Sequence, residues 1–153
     1  MGVQSCSFGG QSNAHDSQGR LLHFHVNSIE ESMRFCALLG FEAIDQMGER
    51  GRLGWARMHC EGGAIMFLRA EEPHPPKKKF EVLFAMYTPD LLAFREHLLA
   101  SSVQAPAIAY PEYMPSGSLS LVDPDGCIID IHHWSPKEHE RWENERKIRL
   151  VQP

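Results

Sequence analysis

Apolar positions along the chain switch between a spacing of two, as in strands, and a spacing near 3.6, as in helices. Leu21 to Val26 reads as a first strand. Ser28 follows as a helix N-cap with Glu31 three residues on, the pairing of a capping box. Ile29, Met33, Cys36 and Leu39 form a helical stripe, widened by Phe35 and Leu38, and Gly40 ends it as a C′ glycine. Strands are predicted over 41–46, 53–60 and 64–69, with a polar turn from Gly48 to Gly51 and a hairpin at Gly62-Gly63. Residues 71–79 carry Pro73, Pro75 and Pro76 and then three lysines. Proline fixes φ and removes a donor, so this is a linker.

The pattern then restarts. A strand is predicted over 80–87. Thr88-Pro89 reads as N-cap and N1. Leu91, Leu92, Phe94, Leu98 and Leu99 form a second helical stripe. Strands follow over 105–110, weakened by Pro106, over 119–122 and over 127–133. The last is preceded by the turn Asp123-Pro124-Asp125-Gly126. The halves run in step: Ser28 and Thr88 are 60 apart (88 − 28), and Gly63 and Gly126 are 63 apart (126 − 63). A repeat of that size predicts two similar units, each with a sheet face the other must help to cover. Ser135-Pro136 opens a last, mostly charged helix with Trp142 as one of its few apolar residues, placed to pack on the body or on a second subunit.

Composition narrows the reading. A chain of 153 residues with 42% hydrophobic content can build one core. A net charge of −5 argues against a nucleic-acid partner, which needs a basic surface. No apolar run reaches the length of a membrane span. Cys6, Cys36, Cys60 and Cys127 form no CxxC pair, and the last three read as buried reduced thiols, which implies the cytoplasm. Residues 1–20, rich in Gly, Ser, Gln and Asn, lack the apolar core of a secretory signal and read as a flexible tail.

Val26-Asn27-Ser28-Ile29-Glu30-Glu31-Ser32, with Arg34-Phe35 and Leu38-Leu39-Gly40-Phe41, resembles the first module of the vicinal oxygen chelate superfamily. That group includes glyoxalase I, bleomycin resistance proteins and extradiol dioxygenases. Asp123-Pro124-Asp125-Gly126 and Ile128-Ile129-Asp130-Ile131 resemble the end of its second module. The resemblance implies an α+β fold of two paired βαβββ modules forming a cupped, incomplete barrel around a central cavity. The modules would be residues 21–70 and 80–134, with 71–79 as linker and 135–153 as C-terminal helix and tail.

The resemblance also implies metal-ligand positions in the first and last strand of each module. Asp130 falls on one of them. Leu21, Phe67 and a residue near Glu81 or Val82 fall on the other three. Phenylalanine and leucine cannot bind a metal, so no metal ligand and no cofactor is expected. The reading is a homodimer that binds a small organic molecule in the cavity through His23, His25, Phe67, Phe84, Asp130 and His132. The aromatic rings would be walls, and the polar groups would orient the ligand. Two alternatives stand beside it. One is a metal-dependent lyase, isomerase or dioxygenase holding zinc, iron, manganese or nickel through His23, His25, Asp130 and His132. The other is a dimerisation module without a ligand. Whether the protein is an enzyme stays open at this stage.

Overall fold

The computed structural model describes residues 21–73, 75 and 82–151. The predicted tail at 1–20, the lysine run, the start of the predicted strand at 80 and the side chain of Trp142 lie outside the described residues. The elements are β1 (Leu21–Val26), α1 (Ile29–Leu38), β2 (Glu42–Glu49), β3 (Arg52–Cys60) and β4 (Gly63–Arg69). After the linker come β5 (Val82–Thr88), α2 (Leu91–Ala100), β6 (Ser118–Val122), β7 (Ile128–His133) and α3 (Pro136–Val151). They form a four-stranded sheet in the order β1-β4-β3-β2 and a three-stranded sheet in the order β5-β7-β6. In each sheet the first and last strands of a module run parallel, β1 with β4 and β5 with β7. The architecture is mixed α+β, two modules whose sheets do not close into a barrel.

Local chemistry sets the helix ends. The Glu31 N–H donates to Ser28 Oγ at 3.3 Å, satisfying one of the donors that a helix start leaves unpaired. Gly40, at φ 89°, takes the left-handed conformation after α1 at little steric cost. The predicted cap of α2 is off by two residues. Asp90 caps it, accepting from the Ala93 N–H at 2.9 Å, while Thr88 Oγ1 accepts from the Asp90 N–H. A carboxylate beside the positive end of a helix is the better cap.

Two predicted strand boundaries also shift. β2 runs on through Gly48 to Glu49, and the β2–β3 turn is Arg50-Gly51, both at positive φ (51° and 77°). That is the handedness a two-residue hairpin needs. Gly48 pairs with Leu53 inside the strand, where a Cβ would collide with the Arg52 backbone. The predicted strand at 105–110 does not form. It contributes one bridge, Ala109 to Ser118, so the second sheet has three strands where the first has four. Pro106, which has no N–H, and Pro111 bracket that segment and deny it a ladder.

One core joins both modules. Ile29, Cys36 and Leu39 of the predicted α1 stripe are buried, as are Leu91 and Leu98 below α2 and Ile129 and Ile131 of β7. Leu92 and Leu99 of the second stripe are exposed. Phe24 and Phe84 lie 6.0 Å apart by ring centroids, and Phe41 meets Phe84 edge-on at 6.0 Å, so aromatic rings stitch one module to the other.

A second seam is polar. The Asn27 N–H at the end of β1 donates to Asp125 Oδ2 at 3.0 Å. Asp123 holds that turn, its Oδ1 accepting from the N–H groups of Asp125 (3.0 Å) and Cys127 (2.7 Å). Burial raises the Asp123 carboxyl above its ordinary 3.8, and the N–H groups of Cys127 and Asp125 pull it back only in part. A carboxyl raised in the folded state costs stability as pH climbs from 3.8 through its folded value. Asp123→Asn keeps the acceptor oxygen and removes the buried charge. At pH 7 it should therefore be at least as stable as the parent in urea unfolding, with the difference closing as pH is lowered toward 3.8.

Cys36 and Cys60 are free thiols, Cys36 buried and Cys60 half-buried. Burial pushes the Cys36 thiol up to about 12, with Asp123 and Cys60 adding to it. Two results are expected. In the native state at pH 8, iodoacetamide read by mass spectrometry should spare Cys36 and modify Cys60 first, because alkylation needs the thiolate. Stability should also fall as pH rises from 9.0 toward about 12, where the folded thiol keeps a proton the unfolded one loses.

Candidate functional site

Strand alternation gives each sheet a core face and an open face. In β4, Ile65 and Phe67 point into the core, and Ala64, Met66 and Leu68 stand on the other side. In β7, Ile129 and Ile131 are buried, and Ile128, Asp130 and His132 stand opposite. The open faces present the candidate chemistry.

On the four-stranded sheet, pairing registers line up side chains in rows across the strands. One row is His25, Leu68, Trp55 and Met47, and the next is His23, Met66, Arg57 and Asp45. Rows on one face are roughly 6.5 Å apart, two residues along each strand. His23 and His25 are exposed, as expected of polar residues on an open face, and Met47 is 60% exposed. An open groove of about 740 Å³ starts at His25, Gly54 and Leu68 and is walled by Arg69 and the linker residues Glu71, Glu72, Pro73 and Pro75.

On the three-stranded sheet, the Ser120 hydroxyl donates to Asp130 Oδ1 at 2.5 Å. His132 packs its ring on Tyr87 with centroids 5.6 Å apart, and its Nδ1 is buried without a partner among the described residues. Trp134 meets Tyr87 edge-on at 6.0 Å and His139, in the first turns of α3, at 4.7 Å.

The six predicted site residues therefore divide three ways. His23 and His25 share the open face of the first sheet. Asp130 and His132 share that of the second. Phe67 and Phe84 are not walls. Phe67 is 2% exposed in the core, 6.4 Å from Phe24 by ring centroids, and Phe84 packs against the same core. The error has a physical cause. Counting from the turn glycines pairs Phe67 with Asp130. Yet β3 and β4 are joined by Glu61 and Gly62 alone, whereas the whole of 123–127 separates β6 from β7. Gly63 is already in its strand and Gly126 is still in its turn. Strand registers correct the count: Phe67 pairs with Phe24 on the core face, whereas Asp130 is on the open face of its sheet, so the open-face neighbours Met66 and Leu68, not Phe67, take the side that Asp130 takes.

The same registers find what the sequence pattern left out. Trp55, with no clear side in the sequence, stands beside Leu68 on the open face, and Arg57 follows it. Apolar Ala56 and Met58, which alternate with them and are buried, were the available signal.

Arg69 frames the groove but is fully engaged. Its Nε donates to the Leu53 carbonyl at 2.8 Å and its Nη1 to the Asn27 carbonyl at 3.4 Å. Its Nη2 reaches both Glu30 oxygens at 3.2 Å. The Glu30 carboxyl is held below its ordinary 4.5 by its own backbone N–H first, then by the Leu53 N–H and Arg69, against some desolvation.

The metal alternative needs His23, His25, Asp130 and His132 around one ion. Among the described residues no three His, Cys, Asp or Glu side chains converge as ligands. Asp130 turns to Ser120 instead. The donor set does not fit a resident metal in this arrangement, and no chemistry is derived through one.

A βαβββ module and a βαββ module, each with an open sheet face, define the class of protein. The family model for the glyoxalase/bleomycin resistance protein/dioxygenase superfamily matches residues 20–131, and the chain belongs to that superfamily. No curated protein matches it in sequence. Solved structures share the fold at low identity. A bleomycin-binding protein complexed with bleomycin superposes with a TM-score of 0.59 at 18% identity, covering 78% of this chain and 99% of its own. TnmS3, an antibiotic-binding protein from Streptomyces sp. CB03234, superposes at 0.60 and 18%, covering 80% and 100%. The fosfomycin resistance protein FosX from Listeria monocytogenes superposes at 0.61 and 13%, covering 80% and 98%.

Proposed function

We propose that this protein binds a small organic molecule on its open sheet faces, without a resident metal and without chemistry on the ligand. One observation carries the reading. A packed core supports two sheet faces that carry polar and aromatic side chains on the side away from it, Trp55, Leu68 and His25 on one, with Leu68 and His25 lining the groove, and Tyr87, His132 and Asp130 on the other. A groove of about 740 Å³ lies within the range of small-molecule sites, roughly 300–1,000 Å³. The antibiotic-binding proteins of the same fold are consistent with this use.

The test is a thermal-shift panel of bleomycin and other antibiotics, run with and without a chelator. A ligand at a hundred times its dissociation constant adds about 2.7 kcal/mol, a rise of roughly 5–10 °C for a chain of this size. The reading expects at least one such rise, unaffected by chelation. A panel without any shift would sink it. Shifts that vanish with chelator would favour the metal-dependent lyase, isomerase or dioxygenase.

Further parts of the proposal concern the setting. Exposed Leu21, Leu22, Ile44 and Met47 on and around the first sheet favour a homodimer. Sedimentation should give twice 17.4 kDa. Free Cys36 and Cys60 favour the reducing cytoplasm. Among the described residues no helix is long and apolar enough to cross a membrane.

A further inference from the structure

We infer that the open face of the four-stranded sheet is built for a planar aromatic ligand carrying an anionic oxygen group, with Trp55, Leu68 and Met66 as its floor and Arg57 as its anion partner. This rests on the small-molecule reading above and gives it a ligand class.

The floor follows from the two register rows. Leu68 and Trp55 are neighbours in one, and Met66 and Arg57 in the next, so a flat ring laid across β4 and β3 meets indole, thioether and leucine carbons together. The charge follows from comparing two arginines. Arg69 spends its donors on Glu30 and on two carbonyls, so it has little left for a ligand. Arg57 is different. Its Nε is buried and has no acceptor among the described residues. Its one ion pair among the described residues, to Asp45, is stretched to 3.9 Å with both side chains substantially solvated.

A guanidinium presents five donors in a fork that fits a carboxylate or similar oxyanion in bidentate fashion. Here that fork is nearly unused and stands beside an apolar floor. His23 and His25 stand on the same face as further donors. Asp45 is the competing anion, but it is on the sheet's outermost strand and 56% exposed, where water screens it.

Isothermal titration of the full chain with three naphthalene probes tests this. They are 2-naphthoate, 2-naphthalenemethanol and the cation 2-naphthylmethylammonium. Naphthoate should bind roughly tenfold tighter than the alcohol, the scale of one charged hydrogen bond, and tighter still than the cation. Added salt should weaken naphthoate and leave the alcohol unchanged. Arg57→Gln should erase the preference, with Arg57→Lys restoring part of it. Asp45→Asn should tighten naphthoate several-fold. Trp55→Ala, or Trp55→Phe where the alanine variant does not fold, should weaken all three probes together.

A cation that binds as tightly as naphthoate, or an Arg57→Gln variant with unchanged preference, overturns the anion assignment. If that binding still depends on Trp55, the small-molecule reading survives. Naphthoate affinity that weakens as protein concentration rises shows a second copy of the chain on this face and also overturns the assignment. Failure of all three probes overturns it too, and the antibiotic panel then decides separately whether the protein binds small molecules at all.

Discussion

Replacing Phe67 with alanine should cost about 3–5 kcal/mol, the range for truncating a large buried side chain and leaving a cavity. The ring is 2% exposed. It pairs in register with Phe24 on one side and with fully buried Ala56 on the other, on the face that also holds Ile65 and Met58. Ala56 offers no side chain to relax into the void. Phe24, which would tilt toward it, also holds Phe84 across the module boundary. The loss would therefore be felt in both modules, as one cooperative transition at a lower urea midpoint. Since domains of this kind are stable by only about 5–15 kcal/mol, the alanine variant should sit near its unfolding threshold at 37 °C. Phe67→Leu, which keeps most of the volume, should cost less, about 1–1.5 kcal/mol. The pair also separates core from site. If Phe67 lined a binding face, the leucine variant would lose ligand affinity. From its position in the core it should lose stability and keep affinity. A leucine variant of parental stability with weakened binding would contradict this placement.

Arg69→Met should cost roughly 2–3 kcal/mol, because it breaks several charged hydrogen bonds and leaves acceptors behind. Arg69 is 18% exposed on its side chain and ties three elements at one end of the first sheet. It holds the start of β3 through Leu53, the β1–α1 junction through Asn27 and the first turn of α1 through Glu30. Methionine keeps much of the stem's packing, so the measured loss reports the polar contacts. Glu30→Gln should cost less, below about 1 kcal/mol, since Glu30 is 39% exposed and Arg69 keeps its carbonyl acceptors.

The two variants also differ in acid. The folded Glu30 carboxyl is depressed, so its contribution is present above the ordinary 4.5 and lost as pH falls through the folded value. Without Arg69 that depression shrinks, though the backbone donors remain. Stability of the methionine variant should therefore fall less steeply below pH 4.5 than that of the parent. Identical acid limbs would show that Arg69 does not set the Glu30 charge. Because Arg69 also walls the groove, its loss should loosen the linker side while leaving the Trp55–Arg57 rows in place.

Much of this was legible in the chain because much of it is local. A serine that accepts the N–H three residues on, a glycine that takes positive φ after ten helical residues, and prolines that end a ladder act within one or two turns of backbone. Ser28 and Gly40 could be read for that reason. The repeat of the pattern made two modules readable as well. Where two local solutions competed, reading failed by small amounts. Thr88-Pro89 looked like a cap, but Asp90, two residues later, wins with a carboxylate. Pro106 weakened a predicted strand, and in the fold that strand shrinks to one bridge.

The open faces were a different matter. Alternation says that His23 and His25 share a face, and that Asp130 and His132 do. It does not say what stands across from them, because that depends on hydrogen-bonded register between strands far apart in sequence. A turn of two residues in one module and a longer one in the other put Phe67 on the core face, so that it is not the twin of Asp130. Trp55 and Arg57 joined the candidate site only when β3 was paired with β4. The sequence by itself determined two βαβββ-like modules, their helix caps and the histidines and aspartate of the open faces, since these follow from backbone chemistry and periodicity within each element. Only the tertiary structure decided that Phe67 and Phe84 are core, that Arg69 is spent on Glu30 and Arg57 is not, and that Trp55 lies beside Leu68. Each of these depends on which partner a side chain finds across the sheet, and that is settled by packing of the whole chain.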